Sequence, residues 1–63
     1  MTPTDQHWTL QCAREYGGSF IRALADAGLL ADPGNRAKIF SQWPDLVTVY
    51  GPATQLHRQL RGR

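Results

Sequence analysis

The sequence predicts an all-α fold, a helical hairpin followed by a flexible basic tail. Apolar residues recur at helical spacing over residues 5–30, and Asp32-Pro33 is typical of a helix start. Trp43-Pro44 and Gly51-Pro52 are typical of helix ends. The chain has 63 residues and one cysteine, so it forms one domain at most and no internal disulfide supports its core.

The first predicted element is a long helix over residues 5–30, which Thr4 or Asp5 can cap. Two apolar stripes run along it, one through Trp8 and Phe20 and the other through Leu10 and Ile21. Gly17-Gly18 allows two interpretations: a break into two helices, or a continuous helix that another helix can approach closely. The stripes pass the glycines in phase, which favours a continuous or gently kinked helix.

The return segment is predicted as two shorter helices, at residues 33–42 and 44–50. Asp32 caps the first, with Pro33 at the position where a missing N–H costs nothing. Pro44 ends it and starts the second, and Gly51-Pro52 closes the folded part. We therefore expect a helical domain over residues 1–52 and a basic tail over residues 53–63 that is dispensable for folding.

The aromatic residues are distributed over both arms of the hairpin, which predicts that they form its core. The return segment can cover one stripe of the long helix, so the other stripe must face a partner or remain exposed. We therefore predict a symmetric homodimer, since so small a chain gains from oligomerisation. The predicted core is Trp8, Tyr16, Phe20, Leu24, Phe40, Trp43, Leu46 and Tyr50, and the predicted dimer interface is Leu10, Ala13, Gly17, Ile21 and Leu24.

No arrangement of side chains indicates catalysis, a metal or a cofactor. His7, Cys12 and His57 are the soft metal ligands, and their spacing matches no helical ligand pair. Cys12 lies in an apolar stripe, where burial would make its thiol inert. The carboxylates are scattered singly, so no acid–base pair is visible. We expect a protein that is not an enzyme.

The net charge of +2 is unevenly distributed. Arg58, Arg61 and Arg63 lie in a C-terminal stretch without an acidic residue. Such a tail can contact a partner surface or nucleic acid. A helix-turn-helix with its recognition helix after Pro33 is a further alternative, but the connection before Pro33 lacks the usual glycine-centred turn.

No apolar run approaches the roughly 20 residues that span a bilayer. Residues 1–8 have neither the basic nor the apolar region of a signal peptide. We therefore expect no membrane association and a cytoplasmic location.

The stretch from Tyr16 to Pro52, with the pattern YGGSF…ALADAGL…ADPGNR…WPDLVTVYGP, resembles short accessory proteins of bacteriophages and prophages. The resemblance implies a small protein that binds one host protein stoichiometrically and inhibits or modulates it in the host cytoplasm. The alternatives are a nucleic-acid-binding accessory protein that uses the arginines of the tail, and a structural subunit of a larger assembly.

Overall fold

The computed structural model describes all 63 residues and contains five helices and no strand. The helices are α1 (Pro3–Tyr16), α2 (Ser19–Leu30), α3 (Pro33–Gln42), α4 (Asp45–Tyr50) and α5 (Gln55–Arg61). Helix α1 packs against α2, α4 and α5, while α3 packs against α2. The predicted all-α class is confirmed, and α1 is the central element of the fold.

Helix α1 begins earlier than predicted. Thr2 is its N-cap and accepts a hydrogen bond from the Asp5 N–H, while the Asp5 carboxylate accepts one from the Thr2 N–H. This reciprocal pair is a capping box, and Pro3 occupies the first turn, where its missing N–H is not needed. Asp5 is therefore the third residue of the helix and the partner in the capping box, and the capping hydroxyl comes from Thr2.

The predicted long helix is wrong, because Gly17 and Gly18 separate α1 from α2. Both glycines have extended backbone, with φ −79° and ψ 163° at Gly17 and φ −74° and ψ −175° at Gly18. The break lets α2 fold back antiparallel to α1, and the Arg14–Asp26 ion pair at 2.6 Å joins them. Leu10 of α1 then packs against Gly28 of α2, so one apolar stripe packs against itself within the chain and buries surface that a continuous helix would leave exposed.

The two glycines at this break have different surroundings, and alanine substitutions should separate them. A Cβ at Gly17 would lie 2.6 Å from the Ala13 carbonyl oxygen, which the helix holds in place. We expect Gly17→Ala to lower the free energy of unfolding by about 1–3 kcal/mol. Urea denaturation followed by circular dichroism measures this change.

Gly18→Ala is the matched control, since a Cβ there meets nothing within 4 Å. At this N-cap position, the weaker capping by alanine and the smaller entropy of the unfolded chain offset each other. We expect little net change in stability. Equal effects of the two substitutions would contradict the steric argument at Gly17.

The short helices follow the local signals in the sequence. The Asp32 carboxylate accepts a hydrogen bond of 2.7 Å from the Asn35 N–H at the start of α3. The Arg36 guanidinium donates to the carbonyl oxygens of Gly28, at 3.0 Å, and of Leu29 at the end of α2. The predicted helices at 33–42 and 44–50 are confirmed within a residue or so of their bounds.

Residues 53–63 do not form the predicted free arm. Thr54 caps α5 by accepting a hydrogen bond from the His57 N–H, and α5 packs on α1. His57 is only 2% exposed. Arg61 donates to the Asp5 carboxylate at 2.9 Å, so the segment is part of the helical bundle.

The Arg61 guanidinium lowers the pKa of the Asp5 carboxyl from its ordinary value of 3.8. Because the folded-state pKa is the lower one, the stabilisation from this pair is complete above pH 3.8. It is lost as the pH falls through the folded-state pKa.

Small side chains at the interface of α1 and α2 explain a second difference from the predicted core. Ala13, Ala25 and Gly28 bring the two helices close together, which leaves little space for rings between them. Of the predicted core residues, Leu46 is buried, Trp8, Leu24, Phe40 and Tyr50 are half-buried, and Tyr16, Phe20 and Trp43 are exposed. The buried apolar side chains are Leu10, Cys12, Ala13, Ala25 and Leu46.

Cys12 is fully buried, as predicted, and desolvation raises the pKa of its thiol. The thiolate is the reactive form, so we expect slow modification by a thiol reagent in native buffer and rapid modification in urea. Because the chain has a single cysteine, the absorbance released from a disulfide reagent reports this residue alone. Rapid labelling without denaturant would contradict the burial of Cys12.

Candidate functional site

The three tail arginines do not form a free cationic surface. Arg61 pairs with Asp5, and Arg63 donates to the Tyr16 hydroxyl at 3.0 Å and lies 3.6 Å from the Glu15 carboxylate. Arg58 donates to two backbone carbonyl oxygens near the start of its own helix. Two of the three charges are thus matched by acids of α1, which weakens the basis for nucleic-acid binding.

Most residues of the predicted dimer interface pack against other residues of the same chain. Leu10 and Ala13 have no exposed surface, and Gly17 lies in the turn between α1 and α2. Leu24 is half-buried against the same core, and so is Ile21. Leu10 and Ala13 are therefore not available to a second copy, because α2 already covers the stripe that the prediction left open.

A different surface contains three of the six exposed large apolar side chains. Phe20 is 61% exposed, Val49 46% and Trp43 39%. The rings of Phe20 and Trp43 lie 6.1 Å apart between centroids, with their planes tilted by 56°. We name this surface the aromatic face, and it comprises Phe20, Ile21, Trp43, Val49 and Tyr50.

A groove of about 230 Å³ lies within the aromatic face. Sites for drug-sized molecules occupy roughly 300–1,000 Å³, so the groove suits one bulky side chain better than a cofactor. Its lining is Ile21, Trp43, Leu46, Val49 and Tyr50, with Asp45 as the single charged residue.

Helix ends explain why these large side chains remain exposed. Phe20 lies in the first turn of α2, two residues after Gly18. Trp43 is the C-cap of α3 and precedes Pro44, which ends that helix. Side chains at such ends are covered on fewer sides than those in mid-helix. Periodicity alone missed this, whereas the glycine pair and Pro44 were the available signals.

Two other features of the chain, a polar hollow and a buried histidine, lie outside the aromatic face. An open, polar hollow of about 380 Å³ adjoins the start of α2, but its Asp26 is already paired with Arg14. The His57 Nδ1 lies 2.9 Å from the Tyr50 carbonyl oxygen and donates to it, since a carbonyl only accepts. The His57 Nε2 is buried without a partner.

The His57 contact joins the end of α4 to α5, so it serves the fold. No three His, Cys, Asp or Glu side chains come together as a metal site. His7 packs edge-on against the Trp8 ring, with centroids 5.7 Å apart.

None of the helices is both long enough and apolar enough to cross a bilayer. Comparisons of the chain with protein-family models, with curated proteins and with solved structures gave no match. The aromatic face, with its exposed apolar side chains and its groove, is therefore the candidate functional site of the chain.

Proposed function

We propose that this chain is a small binding protein that acts stoichiometrically on a partner protein through the aromatic face. The observation that carries the proposal is an apolar groove lined by exposed Trp43 and Val49, with exposed Phe20 beside the Trp43 ring. Contiguous exposed apolar surface on a small folded chain is typical of protein–protein contact sites. Tryptophan is also among the residues that contribute most to such interfaces.

The chemistry of the surface favours a protein partner over a nucleic acid. Affinity for nucleic acid comes largely from lysine and arginine on phosphates. The groove is lined by no cation, and two of the three tail arginines are paired with acids. An apolar groove that holds one bulky side chain instead fits a protruding leucine or aromatic residue of another protein.

The resemblance of residues 16–52 to bacteriophage and prophage accessory proteins extends the proposal. On that basis, the partner is a host protein that the chain inhibits or modulates, and the two meet in the host cytoplasm. The homodimer inferred from the sequence stays a prediction, and its proposed interface needs a different surface because Leu10 and Ala13 are buried.

Capture from host lysate by the N-terminally tagged protein tests the proposal. We expect a partner that elutes in a one-to-one complex with the unmodified sequence and is lost with Phe20→Ser. Losing the Phe20–Trp43 contact costs about 0.5–1.5 kcal/mol, so circular dichroism first establishes that this variant remains folded.

Leu30→Ser is the matched control, because Leu30 is 89% exposed at the far end of α2. It lies about 15 Å along the helix axis from Phe20, at 1.5 Å per residue. This variant should retain the complex. Capture of the same proteins by both variants would contradict docking at the aromatic face.

Light scattering of the isolated protein adds an independent check. If the aromatic face awaits a different protein, the mass should be the same with and without Phe20→Ser, whether it is 7.1 kDa or twice that value. A doubled mass that reverts with Phe20→Ser would mean that a second copy occupies the face.

A further inference from the structure

Asp45 differs from the other carboxylates of the chain in having no partner. It lies in the first turn of α4, accepts no side-chain or backbone hydrogen bond and forms no ion pair. The other four carboxylates are engaged: Asp5 with Arg61, Glu15 with Arg63, Asp26 with Arg14, and Asp32 with the N–H of Asn35.

Asp45, with its unpaired carboxylate, lies at the groove of the aromatic face. It is the one charged residue that lines the groove of the aromatic face, and all other lining residues are hydrophobic. The groove therefore has an apolar floor and a negative edge on a chain whose net charge is +2. Trp43, two residues before Asp45, adds an exposed aromatic ring to the same edge.

We infer that the aromatic face binds an amphipathic, basic segment of the partner. A bulky apolar side chain of that segment enters the groove, and a neighbouring lysine or arginine pairs with Asp45. This inference rests on the proposed function and adds the chemistry of the partner to it. On a partner helix, the two residues would be three or four positions apart, so that both lie on one face.

The surface itself favours a basic over an acidic segment. An acidic side chain at the rim would meet the Asp45 carboxylate, and like charges brought together at an interface oppose binding. A cationic side chain at the rim would form an ion pair with the Asp45 carboxylate. It would also be attracted to the face of the neighbouring Trp43 indole ring.

Two designed peptides test the inference directly. One peptide contains leucines at helical spacing and lysines at all of the remaining positions. The second peptide has the same leucines and a glutamate in place of each lysine. Titration of the ¹⁵N-labelled protein should shift the signals of the Trp43 indole N–H and of Val49 and Tyr50. We expect the lysine peptide to bind several times more tightly than the glutamate peptide.

Asp45→Asn should weaken binding of the lysine peptide by about two- to fivefold, the range for an exposed ion pair. Glu15→Gln removes the same charge at the end of α1, outside the groove, and should leave the affinity unchanged. Because the two variants have equal net charge, the comparison isolates the local contact.

The outcomes separate the inference from the proposed function. Equal affinity for the two peptides, or equal effects of Asp45→Asn and Glu15→Gln, would overturn the basic-segment inference and leave the aromatic face as the docking surface. If neither peptide shifts signals of the aromatic face, both the inference and docking at this face are overturned.

Discussion

Replacing Leu10 with alanine should lower the free energy of unfolding by about 2–5 kcal/mol, the range for truncating a fully buried leucine. Leu10 has no exposed surface and belongs to the cluster with Ala13, Ala25 and Leu46. A domain of this size has a total stability of only about 3–9 kcal/mol at the usual value per residue. We therefore expect the thermal melt of the variant to shift strongly or to lose its cooperativity.

Gly28 provides a control for this prediction. A Cβ at Gly28 would lie 2.8 Å from the Leu10 Cδ2, so Gly28→Ala alone gains little, although alanine favours a helix by about 1 kcal/mol. In the Leu10→Ala background the obstructing atoms are gone, and the same substitution should stabilise. The double-mutant cycle should thus give a coupling of about 0.5–3 kcal/mol, while additive effects would contradict the contact.

Ending the chain after Pro52 should strongly destabilise the fold. The truncation removes buried His57 and half-buried Leu56 and Leu60, and it uncovers the side of α1 that α5 packs against. It also leaves the Tyr50 carbonyl oxygen without its His57 donor. Circular dichroism at increasing urea should show an earlier and broader transition. A truncated chain with an unchanged transition would restore the free-arm prediction.

Charge-removing variants distinguish packing from electrostatics in α5. Arg61→Gln and Arg63→Gln break exposed ion pairs with Asp5 and Glu15. Each should change the free energy of unfolding only slightly, because solvent screens such pairs. If either variant destabilises as much as the truncation does, the ion pairs would be the main attachment of α5.

Local signals were sufficient to predict α3 and α4. The cap at Asp32 and the stops at Trp43-Pro44 and Gly51-Pro52 act through a few neighbouring backbone groups, so they can be identified from adjacent residues. The all-α class followed from these signals and from the helical periodicity.

The break at Gly17-Gly18 could not be decided in the same way. A stripe that continues in phase across two glycines fits both one helix and two antiparallel ones. What decides between them is the apolar surface that α1 and α2 bury against each other, a tertiary contribution that local spacing does not contain. The dimer interface assigned to Leu10 and Ala13 depended on the continuous helix and was lost with it.

The aromatic face and α5 were missed for a related reason. Periodicity identifies apolar residues but not which of them lie at helix ends, so Phe20 and Trp43 were assigned to the core. Residues 53–63 contain few large apolar groups, and their attachment depends on a buried histidine and on α1, far away in the sequence.

The Arg61–Asp5 contact brings together residues that are 56 positions apart in the sequence, at 2.9 Å. The beginning of α1 and the end of α5 are therefore neighbours in space. A short flexible linker from the first residue to the last would form a cyclic backbone with little movement of the folded helices. Such a ring would lower the conformational entropy of the unfolded chain and stabilise the domain without a new side-chain contact.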